Sequence, residues 1–118
     1  MWRSLLDSGA IICNGTDAPV EAVDALASYY ATVSRKQSNG ELFFPDQKMT
    51  REEALYSYTM GNAIAAFEED IKGSLSPGKY ADIVVLSQDL LTVEEGLIPN
   101  TTVDYTIVGG EVKYARGM

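Results

Sequence analysis

In the stretch IICNGTDAPV, residues 11–20, Asp17 is the group most able to do chemistry. An apolar run halts on Gly15, Thr16 and Asp17, and Ala18-Pro19 ends it. A carboxylate at the carboxyl end of a buried strand occupies the edge where barrel enzymes keep their reacting groups. There it can ligate a hard or borderline metal and take a proton from a water held by that metal. The same spacing also suits an Asp that caps a turn or opens the next helix. The chain has no histidine, so no imidazole of its own can assist Asp17. Cys13 is the single cysteine and can form no internal disulfide. Inside an apolar run, and with no histidine to activate it, it reads as a buried small hydrophobe. Tyr29-Tyr30 and Phe43-Phe44 suit either a core or a pocket lining.

Several elements must position these groups. Residues 2–8, WRSLLDS, have the character of the last turns of a helix, with Trp2, Leu5 and Leu6 on one side and Gly9 where a C-terminal cap belongs. Ala10 to Asn14 is apolar on both faces, the pattern of a strand covered on both sides in a parallel sheet. Val23, Leu26, Tyr30 and Val33 keep helical spacing across 21–36. A loop around Asn39-Gly40 follows. Thr50-Arg51-Glu52-Glu53 is a capping box for the next helix. Gly61 marks a break, and a second helix near Asn62 to Glu69 presents Ala63, Ala66 and Phe67 on one face. Pro77-Gly78 turns the chain into a strand at Ala81 to Leu86. Alternation at Val103, Tyr105 and Ile107, then Gly109-Gly110, then Val112 and Tyr114, predicts a β-hairpin. The composition divides near residue 71 into a helical α/β piece and a β piece.

Charge and size narrow the function classes. The 118 residues carry a formal charge of −8, and the nine basic residues are scattered, which argues against nucleic acid. The acidic run Glu68-Glu69-Asp70 reads as a solvated helix end. No apolar stretch approaches the ~20 residues of a membrane span, and the first residues lack the apolar core of a signal peptide. A cytoplasmic location is the expectation.

Four pieces in register carry a family resemblance. GSLSPGKYADIVVLS, residues 73–87, resembles the Gly-Ser-Leu-x-Pro-Gly-Lys-x-Ala-Asp signature of the amidohydrolase superfamily. MTREEALYSYTMGNAIAAF resembles its helical linker from barrel to β-sandwich. IICNGTDAPV resembles its strand-8 Gly-Ser/Thr-Asp motif, and YTIVGGEVKY its closing hairpin. Together they span nearly the whole chain. Asp-Ala-Pro-Val and the later Phe-Glu-Glu look closest to the amidohydrolase 3 branch, which includes N-substituted formamide deformylases and exoenzyme regulatory proteins.

The resemblance implies a metal-dependent hydrolase of non-peptide C–N bonds acting on a small amide-type substrate, with a divalent metal, commonly zinc, as cofactor. It implies that Asp17 is a metal ligand and the general base on the attacking water. It places Arg35 on the active-site side, where it would bind a substrate anion; a cation favourably placed at a helix C-terminus is the other reading. Lys79 and Asp82 belong to the turn-and-strand signature and read as structural. The implied fold is α/β. Residues 1–70 would be the last strand and following helices of a TIM-type barrel, and residues 71–118 part of a composite β-sandwich.

The departures are as informative. Such a barrel needs ~250 residues. This chain has one candidate barrel strand and no His-x-His pair. It is therefore expected to be the C-terminal part of a larger enzyme, inactive as an isolated chain and binding no metal tightly by itself. Its apolar strand edges would favour self-association. The alternative is a non-catalytic interaction or regulatory module derived from such an enzyme. Strands apolar on both faces, not repatterned with alternating polar residues, favour the fragment.

Overall fold

A computed structural model describes residues 1–117. Four short helices precede a three-stranded antiparallel sheet. Helix α1 spans Trp2–Asp7 and stops where Gly9, at φ +87, turns the chain back. Helix α2, Ala25–Ser34, begins later than its apolar spacing suggests. The Asp24 side chain accepts the Ala27 amide at 3.0 Å and sets the start there. Val23 thus lies outside the helix, 84% exposed, and Tyr29 takes a place in the core.

Helix α3, Arg51–Tyr58, opens on the expected capping box, with both reciprocal hydrogen bonds between Thr50 and Glu53 present. Glu53 has a second partner. The Arg3 guanidinium hydrogen-bonds its carboxylate and also donates to the Lys48 carbonyl at 3.1 Å. The Arg3 hydrogen bond is the main reason that the Glu53 carboxyl falls to about 2; Thr50 adds to it against the opposing effect of burial.

Thr59, at φ −121 and ψ −89, separates α3 from α4, Met60–Ala65. This helix ends sooner than Glu69. The Phe67 amide bonds the Ile64 carbonyl and the Glu68 amide the Ala63 carbonyl, closing the helix with Phe67 at φ +58. Phe67 is consequently 92% exposed and shares no buried face with Ala63.

Strands β1 (Ile83–Leu86), β2 (Val103–Val108) and β3 (Glu111–Ala115) pair in the order β1-β2-β3. Gly109 and Gly110, at φ +58 and +82, make the two-residue turn of the predicted hairpin. Asp82 Oδ1 accepts the Gly109 amide at 2.8 Å, and the Ala81 carbonyl accepts that of Gly110 at 3.0 Å. The signature Asp thus ties the hairpin tip to the entrance of β1. Lys79 is also structural: its Nζ donates to the Glu69 carbonyl at 2.5 Å and to that of Lys72 at 3.3 Å.

The core joins Tyr29 and Val33 of α2, Met49, Ala54 of α3, Leu90 and Ile98. No helix among the described residues is long and apolar enough to cross a membrane.

Two sequence expectations fail at the same place. Residues 10–16 belong to no helix and form no strand, and Ile11 is 57% exposed. A strand exists only by pairing, and no described segment runs beside this one as a neighbour. Cys13 is accordingly exposed rather than buried.

Candidate active-site segment

Asp17 follows the unpaired 10–16 segment, exposed, with φ +50. The left-handed region is uncommon for residues other than glycine, and Asp is among those that tolerate it. The Asp17 carbonyl accepts the Val20 amide at 2.8 Å, and the Ala18–Pro19 bond within that turn is cis. Asp17 does not cap α2; Asp24 does. The turn therefore fixes the Asp17 main chain while its side chain faces solvent.

The segment is held at Asn14 by α2, α3 and α4. Asn62 of α4 grips the Asn14 main chain at both polar atoms. Its Oδ1 accepts the Asn14 amide at 3.1 Å, and its Nδ2 donates to the Asn14 carbonyl at 2.9 Å. The Asn14 amide is shared with the Ser57 carbonyl at 3.0 Å. The Asn14 side chain donates to Thr32 Oγ1 of α2 at 3.2 Å and accepts the Gly15 amide at 2.9 Å. Gly61 packs so closely that a Cβ there would stand 2.4 Å from the Ile12 carbonyl oxygen. These contacts are not legible in the sequence: Gly61 has the pattern of a helix break, and nothing local shows that a side-chain amide meets a peptide group 48 residues away.

Arg35 ends α2 in the left-handed conformation, φ +56. Its Nε donates to the Phe43 carbonyl at 2.9 Å. Its guanidinium lies 4.6 Å from the Trp2 ring centroid and 5.2 Å from that of Phe43. These contacts fasten α1 and the 36–44 loop to the end of α2. No hydrogen bond or ion pair joins Arg35 to Asp17 among the described residues. Of the aromatic pairs, Tyr29 is core, while Phe43 and Phe44 are 49% and 65% exposed.

A metal ion does not fit the chain by itself. Among the described residues no three His, Cys, Asp or Glu side chains come close enough together to hold one. A zinc site needs three or four ligands, and Asp17 offers one carboxylate. Two apolar recesses open elsewhere. One of about 670 Å³ lies between the α3–α4 pair and β1, lined by Leu55, Tyr58, Ala63, Leu75, Ile83 and Leu86. The other, about 310 Å³, borders Leu6, Ile11, Ile12 and Tyr56.

Comparison with known proteins gives a consistent result. The model of the amidohydrolase 3 branch, described as "Amidohydrolase family", matches residues 1–114. The chain is 30% identical over 118 residues to the amidohydrolase YtcJ of Bacillus subtilis (strain 168), spanning 98% of this chain and 22% of that protein. It is 31% identical over 114 residues to an N-substituted formamide deformylase of Arthrobacter pascens, spanning 97% of this chain and 21% of the relative. Among solved structures, an amidohydrolase from Thermotoga maritima MSB8 superposes with a TM-score of 0.73 at 24% identity, over 96% of this chain and 25% of its own. A metal-dependent hydrolase from Pyrococcus horikoshii OT3, described as uncharacterized, superposes with a TM-score of 0.68 at 32% identity, over 80% and 20%. The chain thus spans about a fifth of the length of the curated relatives it matches.

Proposed function

This chain belongs to the amidohydrolase family, and from that premise we propose that it is one segment of a larger metal-dependent hydrolase of non-peptide carbon–nitrogen bonds. Its contribution to the active site is Asp17. The observation that carries the reading is Asp17 itself: an exposed carboxylate at positive φ, in the turn that follows the unpaired 10–16 segment.

In the assembled site Asp17 would hold one ligand position of a divalent metal, with zinc the expected ion. Such a metal would supply Lewis-acid polarisation of the amide carbonyl and acidify water. The Asp17 carboxylate would accept the proton of the attacking water and return it to the leaving nitrogen. Arg35, in the same scheme, would bind a substrate anion, although its guanidinium here lies against the Trp2 and Phe43 rings. The substrate class is a small amide. One relative is named for deformylating N-substituted formamides, and the superposed Pyrococcus protein is named a metal-dependent hydrolase.

Residues 1–70 would complete a TIM-type barrel and residues 71–118 would contribute strands to a flanking β-sandwich. The unpaired segment 10–16 and the two apolar recesses support this, since each is a surface that further chain would cover. The isolated chain supplies one ligand and should not turn over. The test is zinc-dependent hydrolysis of an N-substituted formamide by the purified 118 residues. Turnover above that of Asp17→Ala defeats the incomplete-site reading. DNA upstream gives an independent check: a reading frame continuing in phase, with a His-x-His some hundreds of residues earlier, is expected. A stop codon immediately upstream instead favours a non-catalytic module.

A further inference from the structure

We propose that Asn62, seated against the segment by Gly61, is the positioning residue for the Asp17 carboxylate. Its side-chain amide stands in for the strand neighbour that residues 10–14 lack among the described residues. The inference rests on the reading of Asp17 as the functional carboxylate.

A segment outside helix and sheet must still find a donor for its carbonyls and an acceptor for its amides. A neighbouring strand normally offers both in alternation. At Asn14 one planar carboxamide offers both, with its acceptor at 3.1 Å and its donor at 2.9 Å. The same Nδ2 donates to the Tyr58 carbonyl at 3.2 Å, which fixes which end of the amide faces the Asn14 carbonyl. Gly61 lacks the one atom that would hold α4 off, since a Cβ there meets backbone at 2.4 Å. On the other flank Asn14 reaches Thr32, which is 1% exposed and whose Oγ1 donates to the Ser28 carbonyl at 3.0 Å. Asn14 is therefore held by α4, by the Ser57 carbonyl of α3 and by α2. Asp17 follows three residues later. A pinned Asn14 leaves only Gly15, Thr16 and the turn at Asp17 to decide where the carboxylate points. A few tenths of an ångström of precision at a reacting group require such an anchor.

The chemistry at position 62 is specific. A carboxylate has no donor and sets a second oxygen against the Asn14 carbonyl. A protonated carboxylic acid regains one donor beside its acceptor. A leucine fills the space with neither.

The test uses NMR on the 118-residue chain and two readouts. The first is amide exchange at Asn14. The second is the strong intraresidue HN–Hα cross-relaxation that positive φ produces at Asp17. Asn62→Leu is expected to raise Asn14 exchange about fivefold, the Ser57 carbonyl remaining as its second acceptor, and to weaken the Asp17 signal, with exchange in β2 and β3 unchanged. Above its carboxyl pKa Asn62→Asp keeps an acceptor for the Asn14 amide but loses the donor to the Asn14 carbonyl, so it is expected to weaken the Asp17 signal with a smaller rise in Asn14 exchange than Asn62→Leu. Below it, both readouts should return to wild-type values measured at the same pH. General loosening of the fold does not produce that rescue. If Asn62→Leu fails to fold, the Asn62→Asp titration decides alone. Wild-type readouts in Asn62→Asp at every pH, or no recovery at low pH, overturn the proposal. Neither readout involves metal or turnover, so failure here leaves Asp17 as a candidate ligand. Conversely, an Asp17 shown to be irrelevant to hydrolysis leaves the Asn62 contact measurable.

Discussion

Gly61→Ala puts two backbone effects of opposite sign in competition. Gly61 lies in α4 without a positive φ, so local conformation does not require glycine there. Judged by helix propensity alone, alanine should stabilise by up to ~1 kcal/mol. The added Cβ, however, would stand 2.4 Å from the Ile12 carbonyl oxygen and 3.3 Å from that of Tyr56. Both are main-chain atoms, so no flexible side chain can swing aside. Restoring contact distance requires residue 12 to retreat by about 1 Å. That retreat stretches the Asn62 hydrogen bonds to Asn14, two residues on. Overpacking costs ~1–3 kcal/mol and a lost hydrogen bond about 1 kcal/mol more. The overlap therefore wins, with a net loss of about 1–3 kcal/mol. Urea unfolding followed by far-UV circular dichroism measures it. Gly96, with nothing within 4 Å and no positive φ, is the internal control, and Gly96→Ala should be neutral or slightly stabilising. A Gly61→Ala chain as stable as wild type would refute the argument from close approach.

Other outcomes follow from the same structure. Because the Glu53 carboxyl falls from 4.5 to about 2 on folding, its contribution is complete above pH ~4.5 and is lost as pH falls towards ~2. The pair is partly solvated, so the loss should be on the order of 1 kcal/mol, and Glu53→Gln should flatten the urea midpoint across that window. Asp82→Ala removes the acceptor of the Gly109 amide; exchange at Gly109 should rise, with a cost of about 1 kcal/mol read from denaturant unfolding. Exposed Val84, Val85, Val112 and Tyr114 on the open sheet predict concentration-dependent sedimentation and binding of an apolar dye; a clean monomer without dye binding counts against it.

What was legible in the sequence were the elements that carry their own instructions. Thr50 and Glu53 are three residues apart and bond each other, so the capping box could be read directly. Gly109-Gly110 dictates its turn, and Gly9 stops α1. Residues 10–14 have strand character but need a partner that local sequence does not contain, which is why they stay unpaired and Cys13 is exposed. Val23 fits the helical period, yet Asp24 overrides it by capping one residue later. At the candidate site, Asp17 was visible because a lone acid interrupts an apolar run. Asn62 was not, because its role depends on α4 meeting a segment far away in sequence.

The central claim is that Asp17 is the working carboxylate of an amide hydrolase. It is tested most directly in a chimera of the Arthrobacter pascens N-substituted formamide deformylase, whose matching segment is 21% of its length, with that segment replaced by this chain. Folding is checked by gel filtration and metal content by elemental analysis, and hydrolysis of an N-substituted formamide is then compared between Asp17 and Asp17→Asn. The account predicts metal-dependent turnover in the first and a loss of about 10²–10⁴-fold in the second, the usual worth of a general base. A folded, metal-loaded Asp17→Asn chimera that turns over as fast as its Asp17 counterpart would contradict it.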